Sequence, residues 1–224
     1  VAGWRRDAEL LVAASDSDHR QDSGVVLPVG LTTSQLVALH ADRSEFLDSL
    51  RRPMPRRVLP GADIGIRFHE WVARYLQPED QQYLVPLDED GEPLDAVAGG
   101  RLDPHLEGLR AAFLRSRWAQ ATAIAVEEPF ALTVAGRVIR GRLDAVVEDP
   151  DDPGRQVVVD WKTSAPHTAD PLQLSVYRLA WAGATGADPE RISAVFHHVG
   201  ANQTIAAHPL MSLKELAGVL ELRE

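Results

Sequence analysis

An α/β sandwich around a mixed sheet is the fold this sequence predicts, on two observations. Apolar residues recur at helical spacing up to about residue 119 and then, from AIAVEEPFAL onward, with the period of two that marks extended chain. Three such extended segments succeed one another with short turns between them. A helix then separates them from two more, the order expected when a meander continues through a crossover into the same sheet.

The first 30 residues combine a short helix near Ala8 to Ala14 with the Asp/Ser/Gly-rich run SDSDHRQDSG and read as a linker. The opening VAGWRRDAELL, without Met, has the look of mid-chain, so residues 31–224 are expected to be one domain cut from a longer polypeptide. In LTTSQLVALHADRSEFLDSLRRP, Leu36, Leu39, Phe46, Leu47 and Leu50 keep helical spacing and Thr32 to Ser34 offer an N-cap, giving one helix or two broken near Asp42. Pro53, Pro55 and Pro60 enforce an extended arm. In GADIGIRFHEWVARYL, the residues Ile64, Phe68, Trp71, Val72, Tyr75 and Leu76 form an apolar stripe, and a polar loop fills 77–100. HLEGLRAAFLRSRWA sets Leu106, Leu109, Phe113, Leu114 and Trp118 on one side of a further helix. The strands AIAVEEPFAL, RVIRGRLDAVV and QVVVDWKT are joined by turns at Ala135–Gly136 and DPDDPG. Asp170 as N-cap and Pro171 at the first helical position start DPLQLSVYRLAWAGA. ISAVFHHV and TIAAHPL are the last two strands, and SLKELAGVLEL is a closing helix.

Composition narrows the chemistry. A chain of 224 residues that is 45% hydrophobic can bury a real core. Its lack of cysteine excludes disulfides, thiolate zinc sites, iron–sulfur clusters and cysteine nucleophiles together. A bound metal must therefore use Asp, Glu, His or backbone oxygen, which suits Mg2+ or Mn2+, or zinc with histidines. Neither a membrane-length apolar run nor a secretory signal is present, so a soluble intracellular protein is expected. A formal net charge of −10 argues against gripping nucleic acid by counterion release alone. It leaves room for a site where a bound cation meets phosphate. Of the 23 basic residues only Lys162 and Lys214 are lysines. In VVVDWKTS a lysine therefore stands where this chain would ordinarily use arginine, and a compact ammonium suits a place beside a bound water or a phosphoryl oxygen.

Strand alternation puts Arg140, Arg142, Asp144 and Val146 on one face of RVIRGRLDAVV, and Asp160 and Lys162 together on one face of VVVDWKT with Trp161 on the other. If the two segments pair as a hairpin, Asp144 and Asp160 approach each other with Lys162 one step along. Two carboxylates so placed raise each other's pKa unless a divalent cation lies between them. Such a cation acidifies water and draws in a phosphoryl oxygen, while the ammonium orients the nucleophile or offsets developing charge. That chemistry is metal-assisted phosphodiester hydrolysis.

GRLDAVV followed by VVVDWKTS resembles the paired motifs of the PD-(D/E)XK nuclease superfamily, within it the RecB-like nuclease domains attached to DNA helicases. Leu143 stands where a proline often precedes the first acid. GIRFHEWV is similar to the G-x-x-x-H helix of that branch, and QLSVY to its Q-x-x-x-Y motif; the likeness spans roughly residues 30 to 210. It implies a restriction-endonuclease-like core with an N-terminal helical annex. It further implies Asp144, Asp160 and Lys162 as catalytic residues, with His69, the Trp161 carbonyl and Glu127 joining the two acids around Mg2+ or Mn2+. Gln173, Tyr177 and Arg140 or Arg142 would meet substrate. The flanking sequences most resemble the C-terminal nuclease domains of actinobacterial AdnAB-type helicase–nucleases. The implied setting is cytoplasmic and nucleoid-associated: an exonuclease-type domain acting on single-stranded DNA in double-strand-break repair and recombination. A covalently linked helicase motor and a partner helicase–nuclease subunit go with it, without an iron–sulfur cluster. No ATP site is expected here, because the chain has no G-x-x-x-x-G-K-[ST] loop.

Each residue also has a plainer reading. Asp144 and Asp160 taken singly are hairpin-end acids, His69 borders an apolar stripe as a core histidine would, and Gln173 and Tyr177 at i and i+4 lie together whatever they do. Glu127 and Glu128 alternate, leaving open which one faces inward. His197 and His198 lack a third ligand at zinc spacing and read as strand residues, while Trp71, Trp118 and Trp181 read as core. The rival function is a nuclease fold without catalysis, serving as a DNA guide or subunit-docking surface. A carboxylate-pair glycosidase would give Lys162 and His69 no role.

Overall fold

The computed structural model describes residues 27–51, 62–77, 103–166 and 170–221. The helix near residues 8–14, the proline arm and most of the 77–100 loop lie outside these residues. In chain order the elements are β1 (Gly30–Thr32), α1 (Thr33–Ala41), α2 (Arg43–Arg51), α3 (Ala62–Leu76), α4 (Pro104–Leu114), β2 (Ala123–Val134), β3 (Arg137–Glu148), β4 (Gln156–Lys162), α5 (Pro171–Thr185), β5 (Ile192–His198), β6 (Gln203–Ala206) and α6 (Leu213–Leu220). Short 3₁₀ turns come after α4 and flank β5. Among the described residues no helix is long and apolar enough to cross a membrane.

Local chemistry explains most of the boundaries. Thr32 and Gln35 form a reciprocal capping box at the start of α1. Asp42 then leaves helical geometry and its carboxylate accepts from Glu45 N–H at 2.8 Å, so one periodic run becomes two helices. Asp170 caps α5 with Pro171 behind it, and Gly186 ends that helix at φ 72°. The β2–β3 hairpin closes on Ala135 and Gly136, both at positive φ, as a two-residue turn that continues the strands' twist requires.

The six-stranded sheet is mixed, with the path β1-β3-β4-β5-β6 and β2 on the other edge of β3. β3 pairs antiparallel with β2 and β4, while β1 runs parallel to β3 and β4 parallel to β5, the latter across the α5 crossover. Two cores cover the two faces. Ile139, Leu143, Val146, Val158 and Phe196 pack with α1, α2, α5 and α6, and Ala145, Val157, Val159 and Trp161 pack with α3 and α4. The result is a three-layer α/β/α sandwich consistent with a restriction-endonuclease-like fold. Phe68 and Phe113 are fully buried in the second core, each worth about 2–3 kcal/mol relative to exposure.

Several details depart from the periodicity. Leu27 to Gly30, read as linker, is in the fold: Leu27 is buried, and Arg137 holds the carbonyls of Leu27 and Pro28 at 2.6 and 2.9 Å. β1 is only three residues long, too short for a periodic signal. α4 stops at Leu114, which is half exposed, and Ser116 caps the turn that carries Trp118 into the core separately. Tyr75, assigned to the buried stripe of α3, is 44% exposed.

One irregularity of the sheet decides where the chemistry-bearing side chains gather. On one edge of β3, β1 pairs with 138–140 and β4 with 145–148. Residues 141–144 form the seam between them, and the functional groups converge there.

Candidate active site

Asp144 is the hub of the seam. Its Oδ2 accepts from the backbone N–H of Trp161 at 2.9 Å and lies 3.4 Å from His69 Nδ1. The β3–β4 ladder reaches this point with Ala145 opposite Val159, so the next step brings Asp144 and Asp160 alongside each other as hairpin pairing requires. His69 arrives from α3, whose stripe buries Phe68 and Val72 and leaves the histidine half-buried over the sheet end. Burial works against the charged imidazole, but the hydrogen bond and charge of Asp144, backed by Asp160 and Glu127, outweigh it and lift His69 above its ordinary value.

Glu127 joins this group through a kink. It sits at φ 53°, a left-handed conformation uncommon for a residue other than glycine, and the β2–β3 register passes from Val126↔Ala145 to Glu128↔Leu143 without pairing it. The bend resolves the Glu127/Glu128 ambiguity: Glu128 is exposed, whereas ligand atoms of His69, Glu127 and Asp144 all lie within 4.8 Å of one another. Strain of this kind costs about 1–3 kcal/mol and tends to concentrate at functional sites. An imidazole nitrogen and two carboxylate oxygens at that spacing are a donor set suited to a hard divalent cation.

Asp160 and Lys162 stand beside that trio and are engaged with each other. Lys162 Nζ is 2.6 Å from Asp160 Oδ2 and 4.5 Å above the Phe196 ring. Trp161 points to the opposite face as alternation predicts, meeting Phe113 edge-on at 5.3 Å. Asp160 is 6% exposed. Burial first, then the charge of Asp144, raises its carboxyl to about 6 in spite of Lys162. From α5, Gln173 Nε2 donates to the Tyr177 hydroxyl at 2.8 Å and reaches Asp160 Oδ1 at 3.4 Å. Tyr177 is buried, its ring edge-on to Phe130 at 6.0 Å; burial, then the Asp160 charge, pushes its hydroxyl well above the usual phenol range.

The arginines separate. Arg142 donates to Glu127 Oε2 at 3.0 Å and belongs to the site's rim. Arg140, beside Thr32 and Ala131, is exposed and stands outside the group. The expected common face of Arg140, Arg142, Asp144 and Val146 does not extend to Val146, since Leu143 and Val146 enter the same core although three residues apart. Alternation slips there, opposite the Glu127 kink. His197 is structural: its Nδ1 accepts from Trp118 Nε1 at 3.1 Å and lies 3.0 Å from Thr204 Oγ1. Burial, then His198, pushes it down to about 4.

Two contributors carry no local sequence signal. Phe196 reaches Lys162 only through the β4–β5 register, which pairs it with Asp160. Gly141 is required by packing, since a Cβ there would lie 2.6 Å from the Phe130 ring and 2.9 Å from Thr33 Oγ1.

Comparison with known proteins gives one family. A family model described as the PD-(D/E)XK nuclease superfamily matches residues 43–218. No curated protein matches the chain. A solved structure titled "Crystal structure of SSO0001" is similar at 15% identity with a TM-score of 0.39, over 96% of this chain and 84% of that one.

Proposed function

Because the chain belongs to the PD-(D/E)XK nuclease superfamily, whose members are generally hydrolytic nucleases using divalent metals, we propose that it is a Mg2+- or Mn2+-dependent deoxyribonuclease domain of the RecB-like branch. It acts on single strands delivered by a linked helicase motor, as an exonuclease-type module in double-strand-break processing. Its flanking motifs resemble those of AdnAB-type helicase–nucleases. On this reading residues 31–224 are the nuclease, residues 1–30 lead from the motor, a partner helicase–nuclease subunit completes the enzyme, and the setting is cytoplasmic at the nucleoid.

The observation that carries the reading is the Asp144 carboxylate, shared between His69 and the Trp161 amide with Glu127 alongside and the Asp160–Lys162 pair next to it. His69, Glu127 and Asp144 would hold the cation, with Asp160 and the Trp161 carbonyl the further candidates. In a strand the N–H and C=O of one residue address the same neighbour. When bound, the ion supplies Lewis acidity toward a phosphoryl oxygen and acidifies water. Lys162 orients the attacking water and offsets charge building on the phosphate. Asp160 fixes the Lys162 ammonium, and Gln173 with Tyr177 braces Asp160 from α5. The brace is a positioning role, since Tyr177 is buried and its hydroxyl accepts from Gln173 and hydrogen-bonds to Asp160.

Degradation of labelled single-stranded DNA in Mg2+ or Mn2+ tests this. The unmodified chain should cut and Asp160→Ala should not. Equal trace cutting by both would leave the non-catalytic guide as the better reading.

A further inference from the structure

Arg142 and Glu127 form an ion pair at the edge of a group whose donor atoms suit a cation. Arg142 NH1 meets Glu127 Oε2 at 3.0 Å, with the arginine side chain 64% exposed and the glutamate 30%. The same glutamate belongs to the His69–Glu127–Asp144 group and sits on a kinked, unpaired backbone position at φ 53°. Arg142 is therefore not placed by ladder geometry against Glu127. In the register it faces Pro129, and it reaches diagonally to the carboxylate that the kink presents.

The guanidinium balances the Glu127 carboxylate, and it does so from the solvent side on a flexible stem. An exposed pair of this kind is weak, so its partner exchanges readily. A divalent ion is the stronger claimant for a carboxylate beside an imidazole and a second carboxylate. Once displaced, the arginine remains on the rim of the cleft with five donors and no partner there, the geometry that suits a phosphate.

We propose that Arg142 is an exchangeable counter-cation: it holds Glu127 until a divalent ion takes that carboxylate, and is then released to bind a phosphate of the substrate strand. This deepens the metal-dependent nuclease reading and rests on it. It makes the rim's phosphate contact conditional on metal, so that a strand is held firmly only by a site ready to cut.

A double-mutant cycle on Mn2+ binding, read by electron paramagnetic resonance without DNA, tests the exchange. Arg142→Gln should tighten Mn2+ about two- to five-fold, the strength of an exposed ion pair. In a Glu127→Gln background the same change should have almost no effect, since no carboxylate is left to compete for. Equal tightening in both backgrounds reduces Arg142 to a distant charge and overturns the exchange alone, as does no tightening in either. Absence of Mn2+ binding by the unmodified chain overturns this inference and the metal-dependent reading together. For the second half, single-strand affinity against salt is measured in a non-cleaving Lys162→Met background. Arg142→Gln should lower the slope by about 0.7, one phosphate contact, only when Mn2+ is present. A loss equal with and without metal overturns the conditional contact.

Discussion

Replacing Asp160 by asparagine should stabilise the metal-free protein while abolishing its activity. Asp160 is 6% exposed, and burial followed by the charge of Asp144 raises its carboxyl from 3.8 to about 6. The native state therefore holds this proton more tightly than the unfolded chain, which makes the contribution of Asp160 to stability fall as pH rises from about 4 to about 6. Above that window the buried charge is present in full. The rise from 3.8 to about 6 corresponds to about 3 kcal/mol, already net of the Lys162 ion pair. Asparagine resembles the protonated acid, so the two proteins should be nearly equal at pH 4. At pH 8 in EDTA the variant should lead by about 3 kcal/mol. Urea unfolding at both pH values measures the difference. A variant less stable than its parent at pH 8, or a gap that does not change with pH, would refute the reasoning and recast the Asp160–Lys162 pair as a net stabilising bridge.

Three further outcomes are expected from the same geometry. Lys162→Arg should cost about 10²–10⁴ in single-turnover cleavage, because the ammonium fits between Asp160 and the Phe196 ring and a planar guanidinium does not; activity within tenfold would contradict this. Mn2+ affinity should climb as pH rises above 6.5, since His69, lifted by Asp144, must lose its proton before it can ligate. His69→Ala should flatten that profile and weaken Mn2+ by about tenfold or more, and an unchanged profile would remove His69 from the site. Gly141→Ala should destabilise by about 1–3 kcal/mol in urea unfolding, because its Cβ would lie 2.6 Å from Phe130, and Phe130→Leu should relieve part of the loss. A neutral Gly141→Ala would show the seam to be loosely packed.

The layered fold was legible because its signals are local. The period change near Ala123, the Asp170–Pro171 start of α5 and the Ala135–Gly136 turn each rest on neighbours in sequence. The sequence left open one helix or two around Asp42, and two form because the same residue that leaves one helix caps the next. Asp144, Asp160 and Lys162 were legible through the hairpin, where turn and alternation together bring both acids to the same end. What escaped depends on long-range register or on departures from regularity. β1 is a strand only because β3 offers it an edge, and the placement of Phe196 against Lys162 needs the β4–β5 pairing. The face predicted to run from Arg140 to Val146 breaks before Val146, because alternation assumes an unbroken pleat. Nothing in EEPF announces that Glu127 will adopt a left-handed conformation and turn toward Asp144.

The central claim is that the seam between β1 and β4 holds a divalent ion on Asp144. Anomalous diffraction from a crystal soaked in Mn2+ measures this directly. The account predicts one strong peak about 2.1 Å from an Asp144 carboxylate oxygen, with His69 and Glu127 among its neighbours and Arg142 moved off Glu127. A peak elsewhere, or an empty seam in crystals of protein that cleaves DNA with Mn2+, would contradict it.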